Sequence, residues 1–198
     1  MNRTITRVYD RYSDAEAAVR RLKEAGFSDT QISLIGHQHA RGEPGTDSEV
    51  ADDAAGGAAV GGALGAGAGL LAGLGLMAIP GIGPVVAAGW LASTAAGAAT
   101  GAIVGGAAGG LIGAMTETGM SREDAETYAE SVRRGGSLVS VRTDEMSEQR
   151  AATALDAGAS LDVSTHRDEW RREGWSGFDP AAEPYPRDRM PYGRTGQI

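Results

Sequence analysis

The chain has 198 residues, a formal net charge of −8 and no cysteine. The acidic balance argues against nucleic acid as a partner, and the lack of cysteine excludes disulfides and thiol chemistry. A chain of this length, with a long uncharged block inside it, has room for one small folded domain besides that block.

Residues 1–36 are predicted to form the first half of an α+β domain. The residues Thr4–Tyr9 read as a strand. The pattern Ser13–Glu16 is a capping box, which predicts the start of a helix, and Gly26 is placed to end that helix. Gln31–Ile35 is a second predicted strand, so this half is a βαβ unit.

Residues 37–53 form an acidic linker in this reading. His37 and His39 could contribute two metal ligands, but the pattern fixes no third ligand. No phosphate-binding loop, dinucleotide-binding motif or catalytic set of residues stands out in the chain either. We therefore expect no catalytic, cofactor-binding or metal site.

Residues 54–116 contain no charged residue and carry glycine at every fourth position in two separate runs. A spacing of four places residues on one face of a helix, so each run would form a flat strip on which another helix can lie close. Gly89 and Ser93 extend the second run backwards at the same spacing. The predicted helix-packing and oligomer-interface residues are Gly57, Gly61, Gly65, Gly69, Gly73, Gly89, Ser93, Gly97, Gly101, Gly105, Gly109 and Gly113.

Two prolines between the runs predict a glycine-zipper helical hairpin with arms at about 54–79 and 84–116. Proline disfavours helix in the residue before it and suits the first turn of the next helix. At 1.5 Å per residue each arm would reach roughly 39 Å or more, beyond the ~30 Å of a bilayer core, so we expect the hairpin to be embedded in a membrane. The predicted turn consists of Pro80, Gly81, Gly83 and Pro84.

Residues 117–165 are predicted to form the second half of the domain. The order is a capped helix over Ser121–Arg134, a strand at Leu138–Arg142, a helix over Glu145–Ala157 and a last strand at Leu161–Val163. This half is therefore αβαβ.

Residues 166–198, rich in tryptophan, proline and tyrosine, are predicted to be a mostly disordered tail. The part with Trp170 and Trp175 could instead dock on the domain or lie at a membrane interface.

The two halves together predict an α+β fold, a split ferredoxin-like domain with the hairpin inserted. Without the hairpin and one extra helix, the elements follow the order βαββαβ. An even number of membrane crossings would return the chain to the side it left, which allows the halves to form one sheet.

Several segments of the chain point to a known family. They are Val8–Asp10, Ser13–Val19, Leu22–Phe27, Ile32–Gly36, Ala78–Val85 and Arg133–Val141. These segments resemble the bacterial general stress protein (heat-induced stress protein) domain, and the last two resemble its glycine-rich members. The resemblance covers roughly residues 4–165. It implies a stress-induced bacterial protein without established catalytic activity, and it carries over no catalytic residues.

We expect a non-enzymatic stress-response membrane protein that self-associates through its glycine-zipper helices into a homo-oligomeric scaffold. Its expected partners are itself and the lipid bilayer, with no nucleic acid and no identified small-molecule substrate. Arginines on both sides of the hairpin, such as Arg41 and Arg122, predict an inner-membrane protein with both halves cytoplasmic. The alternatives are a channel or pore formed by the zipper helices and a soluble cytoplasmic particle or filament with the hairpins buried inside.

Overall fold

The computed structural model describes residues 3–37, 75–79, 82–94, 106–186 and 189–192. These residues form a mixed α+β structure with six strands in one sheet. A short helical stretch also covers residues 90–94. In chain order the elements are β1 (Arg3–Tyr9), α1 (Tyr12–Glu24), β2 (Ile32–His37), β3 (Gly75–Ile79), β4 (Gly83–Gly89), α2 (Gly106–Glu117), α3 (Arg122–Arg133), β5 (Ser137–Thr143), α4 (Glu148–Asp156), β6 (Ser160–Leu161) and α5 (Val163–Arg172).

The sheet has the order β3-β4-β2-β5-β1-β6, and every neighbouring pair is antiparallel. β1 and β2 do not pair with each other, because β5 lies between them and pairs with both. With β3, β4, α2, α3 and the C-terminal helix α5 set aside, the elements follow the predicted βαββαβ order. The inserted hairpin extends the sheet beyond β2.

One face of the sheet, here called the first face, is covered by α1 and α4. Its core joins side chains of these helices, such as Leu22 and Leu155, to strand residues such as Leu34 and Val139. The Tyr9 hydroxyl donates a hydrogen bond of 2.8 Å to the Leu155 carbonyl oxygen. Burial raises the pKa of Tyr9 to about 12, so this donor keeps its proton at neutral pH.

The opposite face, here called the second face, is covered by α2 and α3, which also contact each other. Leu111 and Met115 of α2 and Val132 of α3 pack in one core with Ile35 and Leu138 of the sheet. Both faces of the sheet are therefore buried, and the uncharged stretch supplies α2, part of the second cover.

The predicted helical hairpin is wrong on both sides of its turn. Residues on both sides of the turn are strands, β3 and β4, which pair with each other from Gly75↔Ala87 to Ile79↔Gly83. Pro84, predicted in the first turn of a helix, lies in β4 opposite Ala78. β4 has Val85 against the second-face core and Ala88 against the first-face core. A strand buried on both faces reads as a continuous apolar run, which periodicity alone cannot distinguish from a buried helix.

Within the described part of the predicted second arm, residues 90–94 and α2 are helical, and α2 runs to Glu117. Residues 54–74 and 95–105, which carry the rest of the predicted arms, lie outside the described residues. Of the helices that the structure describes, none combines the length and the apolar character that crossing a membrane requires.

Two predicted helix starts have different outcomes. α1 begins at Tyr12 with Arg11 as its N-cap, so the capping box predicted at Ser13 is not formed. α3 is capped as predicted: the Asp124 amide donates a hydrogen bond of 3.1 Å to the Ser121 hydroxyl.

The predicted disordered tail contains a helix, α5. Asp162 caps it, with its carboxylate accepting from the amides of Ser164 and Thr165 at 3.1 and 3.3 Å. Hydrogen bonds from these two residues hold the pKa of Asp162 at about 2. Trp170 is the buried residue of this helix and anchors it to the domain, so the predicted disorder is wrong for residues 166–172.

Candidate functional site

The first predicted glycine run, from Gly57 to Gly73, lies outside the described residues. So do Gly97, Gly101 and Gly105 of the second run, together with Pro80 and Gly81 of the turn. The structure describes four members of the second run, namely Gly89, Ser93, Gly109 and Gly113, and the turn residues Gly83 and Pro84.

Gly89 is not on a helix, so its predicted helix-packing role is wrong. It ends β4 with φ +86°, and a Cβ there would collide with the Ile32 carbonyl oxygen of β2. The Ser33 hydroxyl fixes the same corner, since it donates to the Ala88 carbonyl oxygen at 2.8 Å and accepts from the Leu91 amide at 2.9 Å. Glycine is needed here for close contact between strands of one chain.

Ser93 and Gly113 lie on helical segments, and their surroundings differ. The Ser93 hydroxyl donates a hydrogen bond of 2.9 Å to the Trp90 carbonyl oxygen within its own segment. A Cβ added to Gly113 of α2 would meet no described atom within 4 Å. Gly109 lies one turn earlier on α2. This part of α2 therefore has an open glycine position on a helix whose other side is buried at Leu111 and Met115.

A buried charged cluster lies at the end of α3 and consists of Glu130, Arg133 and Arg134. The Glu130 side chain is 0% exposed, and the Arg134 Nε donates a 2.7 Å hydrogen bond to its Oε1. The Arg133 Nε lies 3.0 Å from Oε2, an ion pair without hydrogen-bond alignment. Burial raises the pKa of Glu130, while the hydrogen bond and charge of Arg134 and the charge of Arg133 oppose that rise.

Aromatic residues from the C-terminal part of the chain stack on this cluster. The Arg134 guanidinium lies 4.6 Å from the Trp170 ring centroid, and the Arg133 guanidinium lies 4.9 Å from that of Tyr185. The Tyr192 amide donates a 3.1 Å hydrogen bond to the Arg134 carbonyl oxygen. Sequence reasoning missed this site, because a pair of arginines at a helix end is an ordinary C-terminal signal.

Two open grooves of about 500 and 490 Å³ lie beside β1, and both are lined by Arg7, Met120 and Tyr128. Arg7 is held by Asp156 through an Nε–Oδ1 contact of 2.7 Å. Its Nη1 also donates a 3.0 Å hydrogen bond to the Thr6 carbonyl oxygen. β6 pairs with β1 only at Val8 and Tyr9, so Arg7 lies beside the part of β1 whose outer edge no described strand covers. A charged side chain there disfavours pairing with another chain.

The histidine pair considered from the sequence is not assembled within the described residues. His37 is buried, and its Nε2 forms a 2.8 Å hydrogen bond with the Val132 carbonyl oxygen. His39 lies outside the described residues. In the described parts of the chain, no group of three or more possible metal ligands comes together.

Residues 4–80 match the family model of the heat-induced stress protein YflT domain, which confirms the predicted family resemblance over this part of the chain. The match begins in β1 and ends after β3, so it includes α1 and β2 but not β5. No curated protein and no solved structure matched the chain.

Proposed function

We propose that this protein is a non-enzymatic stress-response protein that self-associates through its glycine-rich stretch into a homo-oligomer. The observation that carries the proposal is the open position at Gly113 on α2. Small residues on a helix face allow a second helix to approach closely. The inner face of α2 is already used by the second-face core, so the glycine face is the part available to another copy.

The strand positions favour assembly away from lipid over a two-span hairpin. β2 ends at His37 and β3 begins at Gly75 in one sheet, so the chain between them must leave and return on the same side of a membrane. Its uncharged part, residues 54–74, would reach about 31 Å as a helix, which is enough for one crossing. A second crossing would draw charged linker residues into hydrocarbon. Membrane embedding is therefore not part of the proposed function.

The proposal is tested by replacing Gly109 and Gly113 together with leucine. We expect the wild-type chain to form a defined oligomer in analytical ultracentrifugation and the double variant to dissociate at the same concentration. Ala17→Leu, which adds the same side chain to the half-buried surface of α1, is the matched control and should leave the oligomer intact.

Carbonate washing of membranes from the expressing cells tests the location in the same material. A monomeric wild-type chain, or an oligomer unchanged by the double leucine variant, would contradict the proposal. Retention of the oligomer in washed membranes would restore the membrane prediction, and recovery in the soluble fraction would support assembly in the cytoplasm.

A further inference from the structure

The sheet has an open edge on each side, and the two edges differ. On one side the outermost strand is β3, and no described strand pairs with its outer edge. On the other side β6 covers only the last two residues of β1, so the rest of β1 is also an edge. An edge strand presents unpaired amides and carbonyl groups, which can pair with a strand of another chain.

The edge of β1 is occupied by side chains of the same chain. The Arg142 amide of β5 donates to the Gln31 carbonyl oxygen on the β2 side, so by alternation the backbone of Thr6 faces the outer edge. The Thr6 carbonyl oxygen accepts hydrogen bonds from the Arg7 Nη1 at 3.0 Å and from the Tyr128 hydroxyl at 3.3 Å. Together with the charge of Arg7, these contacts disfavour pairing of β1 with another chain.

The edge of β3 has no such protection among the described residues. β3 belongs to the stretch 54–116, which contains no charged residue, so no charge on the strand itself opposes pairing. An apolar edge strand without charge is the kind of edge that pairs with another strand.

The register of the hairpin shows which backbone groups of β3 face this edge. The Ile79 carbonyl oxygen accepts from the Ile82 amide in the turn at 2.9 Å, so the backbone of Ile79 faces β4. By alternation, Leu76 and Ala78 direct their amides and carbonyl oxygens outward. Pro84 of β4 lies opposite Ala78 and has no amide to donate, which fits a pair whose backbone groups point away from each other.

We propose that two copies of the chain pair through β3, antiparallel about a two-fold axis, and so join their sheets into one. The register that uses both outward residues puts Leu76 opposite Ala78 of the second copy. Because the edge of β1 is occupied in each copy, one such contact closes the assembly as a dimer and does not continue into a fibre.

The same dimer brings in the helix already proposed for self-association. α2 contacts both β3 and α3, whereas α3 contacts β1, β2 and β5, so α2 is the helix of the second cover nearest to the β3 edge. Residues opposite each other in an antiparallel pair share a face, so the α2 helices of both copies lie on one side of the joined sheet, next to the axis. This inference rests on the proposed self-association and names the strand that directs it.

Removal of one outward amide tests the contact. Ala78→Pro deletes the amide hydrogen of Ala78, and proline is tolerated on an edge strand where its nitrogen faces outward. Each copy loses a donor, so we expect the dissociation constant of the dimer in analytical ultracentrifugation to rise at least about tenfold. Ala78→Val keeps the amide and favours a strand, so this matched control should dimerise as the wild type does. Cooperative thermal unfolding of both variants by circular dichroism checks that they fold.

Amide hydrogen exchange of the wild-type chain needs no substitution. The chain is labelled at high and at low protein concentration and read residue by residue by nuclear magnetic resonance. The amides of Leu76 and Ala78 should exchange slowly in the dimer and at least about tenfold faster in the monomer. The Met77 amide faces β4, so it is the internal control and should stay protected at both concentrations.

Slow exchange of Leu76 and Ala78 in the monomer would overturn the inference, because another segment of the same chain would then cover the edge. Equal dimerisation of Ala78→Pro and Ala78→Val would overturn it as well, and dissociation of the double leucine variant of α2 would then leave the proposed function standing without the β3 contact. A wild type that grows into fibres would contradict the closed dimer. A wild type that stays monomeric at every concentration would contradict both proposals.

Discussion

The two faces of the sheet are covered by different kinds of sequence. The first face is closed by α1 and α4, which follow β1 and β5 and carry the usual apolar stripe of a helix on a sheet. The second face is closed by α2 from the uncharged stretch and by α3, and Phe178 also packs against its core. The comparison teaches that a glycine-rich insertion can complete the sheet and core of a domain instead of extending away from it.

The glycines of the inserted stretch therefore differ in their structural roles. Gly89 serves the sheet, because its left-handed backbone and missing side chain let β4 approach β2. A Cβ on Gly113 would meet no described atom within 4 Å, and this is the position that we propose for assembly. Residues that share the same four-residue spacing in the sequence can therefore have different roles.

The largest expected effect comes from removing everything after the family match. A chain of residues 1–80 lacks β5, the strand that pairs with both β1 and β2. We expect it to show no cooperative thermal transition by circular dichroism, whereas the full chain shows one. A cooperative transition in the short chain would mean that the matched segment folds by itself and that the second half is an addition.

The two faces can be compared directly by a matched pair in β2. Leu34 packs in the first-face core and Ile35 in the second-face core, and both are 0% exposed. Replacing either with alanine should lower the free energy of unfolding by about 2–5 kcal/mol, as measured by urea denaturation. If the second face were open, Ile35→Ala would lower it by less than about 1 kcal/mol while Leu34→Ala kept its full effect.

The strand assignment of the insertion can be tested by comparing two glycines with positive φ, one in β4 and one outside the insertion. Gly89→Ala combines backbone strain with a collision against β2, so the free energy of unfolding should fall by about 3 kcal/mol or more. Gly26→Ala is the control, since its φ is +90° but no atom lies within 4 Å of a new Cβ. Strain alone should reduce stability by about 1–2 kcal/mol. Equal losses for the two variants would contradict the close contact at Gly89.

The smallest effect concerns α5 and depends on pH. The folded-state pKa of Asp162 is lowered to about 2 from its ordinary value of 3.8. Its contribution to α5 is therefore present above the higher value and is lost as pH falls between the two. We expect tryptophan fluorescence to report loosening of α5 over this range. Asp162→Asn keeps a good N-cap without a titrating group and should remove this part of the change. Identical acid titrations of the two proteins would contradict the role of the Asp162 charge.

The flanking halves could be predicted from the sequence because each element there carries its own signal. Ser121 capped a helix as expected, and Ala151, Ala154 and Leu155 are the buried residues of α4. Gly26 ends α1 with the left-handed conformation that its position indicated. Amphipathic helices that end in glycine can be recognised one at a time, without knowledge of their neighbours.

The insertion and the tail could not be predicted in this way. β4 is apolar on both faces, so its sequence shows no alternation of polar and apolar residues that would indicate a strand. Its strand conformation depends on pairing with β2, which is distant in the sequence. α5 has one buried anchor, Trp170, among charged residues and therefore shows no apolar stripe. The one local signal for α5 was Asp162 followed by Ser164 and Thr165, a pattern that fits an N-cap.

The central claim, that the uncharged stretch completes the sheet, is tested most directly by nuclear magnetic resonance of the full chain. We predict strand-type secondary chemical shifts over residues 75–79 and 83–89, and backbone proton contacts between Ile35 and Ala87, which are opposite each other in β2 and β4. Helical shifts over both ranges, without contacts to β2, would contradict the account and restore the helical hairpin.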